Sequence, residues 1–133
     1  MADFKKLVVW EKAHGLAVSV HLLAGGMRKS QFASIRNQMI RASESVPTNI
    51  VEGSRQTSGR DFARFLRYSL NSASELEYHF ILAGDIGAVT REESDTLIAA
   101  VTEVRKMLHG LIRHVSNGRP PRQSDTRQAE QDN

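Results

Sequence analysis

Apolar residues in this chain recur at steps of three and four in four separate stretches, the period of α-helices that bury one side. The first stretch, Lys6 to Met27, carries Leu7, Trp10, Ala13 or His14, Ala17, Val20 or His21, and Ala24, and Gly25-Gly26 ends it. Gly15 inside it weakens a helix by about 1 kcal/mol relative to Ala, so a second backbone is expected close by. The second stretch runs from Phe32 to about Glu52 with Ile35, Met39, Ala42, Val46 and Ile50 in line and Gly53 as its stop. A third starts at Ser58-Gly59-Arg60-Asp61, a capping-box pattern, and continues through Phe62, Leu66, Ser69 or Leu70, Ala73, Leu76, Phe80 and Ala83. The fourth starts at Thr90, where Glu93 completes another box, and runs through Leu97, Ala100 or Val101, Val104, Leu108, Leu111 and Val115 to Gly118. No stretch alternates with the period of a strand.

Four helices of about 20 residues with short connections predict an all-α, antiparallel up-down-up-down four-helix bundle spanning residues 1–117. The remainder, residues 118–133 (GRPPRQSDTRQAEQDN), is nearly free of apolar residues and is expected to form a disordered polar tail.

Residues 38–53, QMIRASESVPTNIVEG, carry more than a core line. Gln38, Arg41, Ser45, Asn49 and Glu52 recur at the same spacing and make a polar stripe on one flank, which predicts a polar packing seam within the bundle or between subunits. Pro47 lies mid-helix, where it removes a backbone donor and crowds the carbonyl of Ser43, so a bend is expected.

Length and composition allow one domain with a real core: 133 residues, 40% hydrophobic and 25% charged. No apolar run reaches the roughly 18 residues of a membrane span, and the start, MADFKKLVVWEKAHG, meets charge and Trp too early for a secretory signal. With no cysteine, disulfides and thiolate metal sites are excluded, which fits a cytoplasmic protein. Net charge is only +3, yet its distribution is uneven. Between Arg28 and Arg67 eight basic residues face three acids, locally +5; between Glu75 and Glu103 seven acids face Arg91 alone, locally −6. Such polarity can draw a polyanion to one face or bring one subunit's basic side to another's acidic side.

Catalytic signatures are missing. His14 and His21 are seven residues apart, and His79, His109 and His114 form no E-x-x-H or H-x-x-x-H arrangement, so neither zinc nor di-iron ligation is indicated and no cofactor is implied. There is no G-x-S-x-G elbow and no phosphate-cradling glycine loop. Arg60, Arg64 and Arg67 share one side of the third helix and, with Arg36 and Arg41 of the second, could form a phosphate-contacting patch. Alternatively, Arg41 and Arg64 pair with Glu44, Glu52 or Asp61 nearby. Phe62, Phe65 and Phe80 read as core, so contacts to nucleic acid are expected to be backbone-directed.

LVVWEKA, NQMIRASESVPTNIVEG and RDFARFLRYSLNSASELE, in that order and spacing, resemble the bacterial four-helix bundle proteins first noted inside intervening sequences of 23S ribosomal RNA genes, a group that includes accessory variability proteins of diversity-generating retroelements. The resemblance covers about Leu7 to Val115. It rests on Trp10 and Ala13; on Gln38, Arg41, Ala42, Ser45, Asn49, Ile50, Glu52 and Gly53; and on Phe65, Leu66, Ser72, Glu75 and Leu76. The chain departs from the pattern between Gly25 and Ile35. The resemblance implies a bundle assembling into a homopentameric ring, and its retroelement members look like basic scaffolds that bind nucleic acid and a reverse transcriptase. The expectation is thus a non-enzymatic, oligomeric accessory scaffold that binds RNA or DNA through a basic surface, alone or beside a reverse transcriptase or other protein. The alternative is a structural or protein-interaction module whose charge polarity serves assembly without nucleic acid.

Overall fold

The computed structural model describes residues 2–127 and consists of four long helices: α1 (Val8–Ala24), α2 (Ala33–Ser54), α3 (Gly59–Asp85) and α4 (Arg91–Ser116). Single 3-10 turns at Phe4–Lys6, Ser30–Phe32 and Gln123–Asp125 flank them, and there is no strand among the described residues. Helix ends follow local hydrogen-bond chemistry. At α4 the full capping box forms: Thr90 Oγ1 accepts the Glu93 N–H at 3.0 Å and Glu93 Oε1 accepts the Thr90 N–H at 2.9 Å. At α3 only half of it forms. Ser58 Oγ accepts the Asp61 N–H at 3.1 Å, while the Asp61 carboxylate turns instead toward Arg64, 3.8 Å away. Helix α1 starts two residues later than its apolar period suggests, because Asp3 caps a separate turn by accepting the Lys5 N–H at 3.1 Å.

Consecutive helices pack on one another, and α1 also meets α4, so the four enclose one core. The buried lines of three helices are those of the sequence: Ile35, Met39, Ala42, Val46 and Ile50 from α2; Phe62, Leu66, Ala73, Leu76, Phe80 and Ala83 from α3; Leu97, Val101, Val104, Leu108, Leu111 and Val115 from α4. On α1 the expected line is corrected, since Val9 and Leu16 are buried and Trp10 is only half-buried. Ser69 wins over Leu70 for the buried slot on α3. Its hydroxyl donates to the Val46 carbonyl at 2.8 Å, so a polar side chain is satisfied at a position where α2 and α3 are close. Pro47 is buried one residue on, inside an α2 that runs unbroken to Ser54.

Two glycines play roles opposite to those their sequence context predicts. Gly53 does not stop α2; it is buried within it, and a Cβ there would meet Phe62 Cδ1 at 3.0 Å, Phe65 Cβ at 3.1 Å and the Phe62 carbonyl at 3.2 Å. It permits close approach of α2 to α3. Gly15 is exposed with nothing within 4 Å of such a Cβ, so no neighbouring backbone explains it.

The expectation of a disordered tail from residue 118 is corrected over its first part. Gly118, at φ +75°, turns the chain back, and the segment that follows reaches the N-terminus. Leu7 and Thr126 form an antiparallel bridge, the Arg127 N–H donates to the Lys6 carbonyl at 2.6 Å, and Arg127 lies 3.4 Å from Glu11. A low-apolar segment orders here because its own polar groups are satisfied: Asp125 accepts from the Arg122 backbone N–H at 2.9 Å and from its guanidinium at 3.0 and 3.1 Å. The rest of the expected tail, residues 128–133, lies outside the described residues.

Candidate nucleic-acid interface

Helical geometry separates the five arginines. Ser45 meets Ser72, Val46 meets Ser69, and Gly53 meets Phe62 and Phe65, so the end of α2 lies beside the start of α3. Arg41 is about 18 Å and Arg36 about 25 Å along α2 from Gly53, at 1.5 Å per residue. Neither reaches the first turns of α3. Arg36 is also occupied: half-buried, it donates from Nη1 to the Met27 carbonyl at 2.6 Å and so holds the α1–α2 turn. Arg41 is exposed, and neither Glu44 nor Glu52 pairs with it. Glu44 instead accepts from His21 Nε2 at 2.8 Å across α1 and α2.

Arg60, Arg64 and Arg67 do belong together. With Tyr68 and Asn71 they are all exposed and fall within about 100° of arc at 3.6 residues per turn, opposite the buried line of α3. Asp61, the acid beside them, reaches Arg64 only at 3.8 Å, and the pair is half-exposed, so solvent screens it and the guanidinium remains available. The Arg64 guanidinium carbon lies 5.0 Å above the Phe65 ring, and Phe65 is half-buried, not fully in the core. The arginine stripe was legible from spacing. Tyr68, which enters the same face, was missed; its i+4 step from Arg64 was the available signal.

The polar stripe of α2 also narrows. Gln38, Arg41 and Glu52 are exposed, whereas Ser45 and Asn49 are half-buried against α3. The Ser45 and Ser72 hydroxyls are 2.7 Å apart, and Asn49 Nδ2 donates to the Ser45 carbonyl at 2.9 Å and its hydroxyl at 3.1 Å. Three residues, Ser45, Asn49 and Ser72, make the seam inside the bundle.

The acidic segment is partly used up internally. Glu77 pairs with Arg105 at 3.1 Å, Asp85 with Arg91 at 3.0 Å and Glu103 with Lys12 at 3.2 Å, while Glu93 caps α4. In the C-terminal strap, residues 119–127, burial raises the Asp125 carboxyl, but the hydrogen bonds and charge of Arg122, with the charge of His114, outweigh it and leave the group below the usual carboxylate range. Arg122 is raised in turn, by its hydrogen bond to Asp125 and then by its charge. No cluster of three or more His, Asp or Glu able to hold a metal ion occurs among the described residues, and no helix there is long and apolar enough to cross a membrane.

Comparison with known proteins agrees with this architecture. A solved relative, a protein of unknown function from the S23 ribosomal protein family of Bacteroides thetaiotaomicron VPI-5482, is 29% identical and superposes with a TM-score of 0.75, covering 80% of this chain and 99% of its own. No curated protein matches the chain. The family model of the 23S rRNA-intervening sequence protein matches residues 5–110, which takes in all of α1 to α3 and most of α4 and leaves the C-terminal strap outside. With the four-helix bundle and the matched span in agreement, the chain belongs to the 23S rRNA-intervening sequence protein family.

Proposed function

We propose that the protein is a non-enzymatic helical scaffold that assembles with copies of itself and engages nucleic acid through the solvent face of α3. The observation that carries this reading is the exposed Arg60–Arg64–Arg67 stripe, opposed only by a weakly engaged Asp61. Exposed guanidiniums at successive helical turns suit phosphate oxygens and displace counterions from a polyanion. Because the stripe lies on one helix, the contacts are backbone-directed. We also infer an up-down-up-down path: each connection is too short to return the chain along the bundle, so neighbours run antiparallel.

Self-association has its own support. Val18 and Leu22 on α1 are 45% and 76% exposed, and with Ala17 and Pro47 they line a groove between α1 and α2. A helix with apolar residues on its outer face is suited to burial against another surface. We extend this self-association to a pentameric ring on the family resemblance alone. The competing reading is charge-driven assembly without nucleic acid; of the acidic segment only Glu77 is held in a mostly buried pair, with Arg105, while Asp85–Arg91 and Glu103–Lys12 are surface pairs that solvent screens.

Filter binding of mixed-sequence RNA and DNA across a salt series tests the function. Three phosphate contacts give a slope of log K against log salt of about −2 per copy on single strands. Joint replacement of Arg60, Arg64 and Arg67 by Gln abolishes that slope and leaves the light-scattering mass unchanged. Absence of binding at low salt, or binding indifferent to salt, overturns the reading. If Arg64→Glu or rising salt instead dissociates the oligomer, the charge-assembly alternative holds.

A further inference from the structure

We propose that Tyr68 is a stacking platform for an unpaired base, so the α3 face takes single-stranded nucleic acid in preference to duplex. This deepens the nucleic-acid reading above and rests on it. Tyr68 is 45% exposed although it is a large apolar ring on a helix with a well-filled buried face. It sits one helical turn beyond Arg64, so the ring shares the solvent side of α3 with that residue, and Arg60 and Arg67 are exposed on the same side.

Its surroundings brace it without covering it. The Tyr68 and Phe65 centroids are 5.7 Å apart with planes at 89°, an edge-to-face contact, and Phe65 is itself half-buried and carries the Arg64 guanidinium 5.0 Å from its ring centroid. Phe65 therefore anchors both neighbours to the bundle. The result is a braced, partly open ring on the face that carries the exposed arginines. An exposed aromatic with adjacent positive charge is what a flexible strand exploits: phosphates meet the arginines while a splayed base lies on the ring. In a duplex the bases are already stacked and paired, so the ring has no π-face to receive and only the arginines contribute. Because every base has such a face, little sequence preference is expected.

Fluorescence anisotropy with a labelled single-stranded oligonucleotide and the duplex of the same sequence, in RNA and DNA forms, tests this on the full chain. The wild type binds the single strand more tightly. Tyr68→Leu weakens single-strand binding about tenfold, equivalent to about 1.4 kcal/mol for one stacked base, and leaves duplex binding and the salt slope unchanged. Tyr68→Phe retains wild-type behaviour, which separates stacking from any role of the hydroxyl. Three results overturn the inference while sparing the broader function: equal loss on both probes, no loss for Tyr68→Leu, or tighter binding of duplex by the wild type. Failure of the wild type to bind either probe overturns both.

Discussion

Replacing each of two helical glycines by alanine should shift stability in opposite directions, because the structure surrounds them differently. Gly15 in α1 is exposed, and a Cβ there meets nothing within 4 Å. Gly15→Ala then expresses only the helix-propensity difference, a gain of about 1 kcal/mol. Gly53 is buried in α2, and its Cβ would press on Phe62 Cδ1 at 3.0 Å, Phe65 Cβ at 3.1 Å and the Phe62 carbonyl at 3.2 Å. None of the three yields easily: Phe62 is core, and the other two atoms move only with the α3 backbone. Overpacking of this kind costs about 2 kcal/mol, against which the propensity gain of about 1 kcal/mol leaves a net loss of about 1 kcal/mol. For a chain of this size 1 kcal/mol corresponds to about 4 °C in Tm. Thermal unfolding followed by circular dichroism at fixed protein concentration should therefore show Gly15→Ala about 4 °C above wild type and Gly53→Ala about 4 °C below. A rise for Gly53→Ala would refute the close α2–α3 approach. A fall for Gly15→Ala would place the partner copy proposed for the α1 groove against Gly15, which shares the face of Val18 and Leu22.

Arg36→Ala should cost about 2 kcal/mol by removing a charge-assisted bond to the Met27 carbonyl, lowering Tm by about 8 °C, yet leave nucleic-acid affinity unchanged because that guanidinium is already engaged. Ser69→Ala should lose about 1 kcal/mol in denaturant unfolding, since its hydroxyl satisfies the Val46 carbonyl in a buried place. Asp125 is depressed below its ordinary value of 3.8, so the strap's anchorage is fully present above that pH and is lost as pH falls through the folded-state value. NMR amide signals of Thr126 and Arg127 should move to random-coil positions as pH falls from 3.8 through the lower folded-state value while the bundle's remain, and Asp125→Asn should release the strap at neutral pH. Retention of those signals in Asp125→Asn would show that the backbone bridge alone holds the segment.

Helix existence, and core membership on α2, α3 and α4, were readable because both depend on a local period; on α1 Val9 and Leu16 were missed. Every position of the α2 line is buried, and the choices left open on α3 and α4 fell to Ser69 and Val101. Caps were readable where the bonding partners are three residues apart, as at Thr90 and Glu93. The candidate site was half legible. Spacing grouped Arg60, Arg64 and Arg67, but it could not show that Arg36 turns inward to a carbonyl nine residues back. Nor could it tell that Tyr68 stays open while Phe65, three residues earlier, is half-covered.

By itself the sequence determined an all-α chain of four amphipathic helices, their approximate ends, and the arginine-bearing outer face of α3, since each follows from interactions within a few residues along one helix. Only the tertiary structure decided the two glycines, the inward turn of Arg36, the shrinkage of the polar stripe to Ser45, Asn49 and Ser72, and the return of residues 119–127 to the N-terminus. Those outcomes depend on which surfaces distant segments press together. A Cβ is tolerated or refused, and a polar group partnered or left in water, according to neighbours that the local period does not encode.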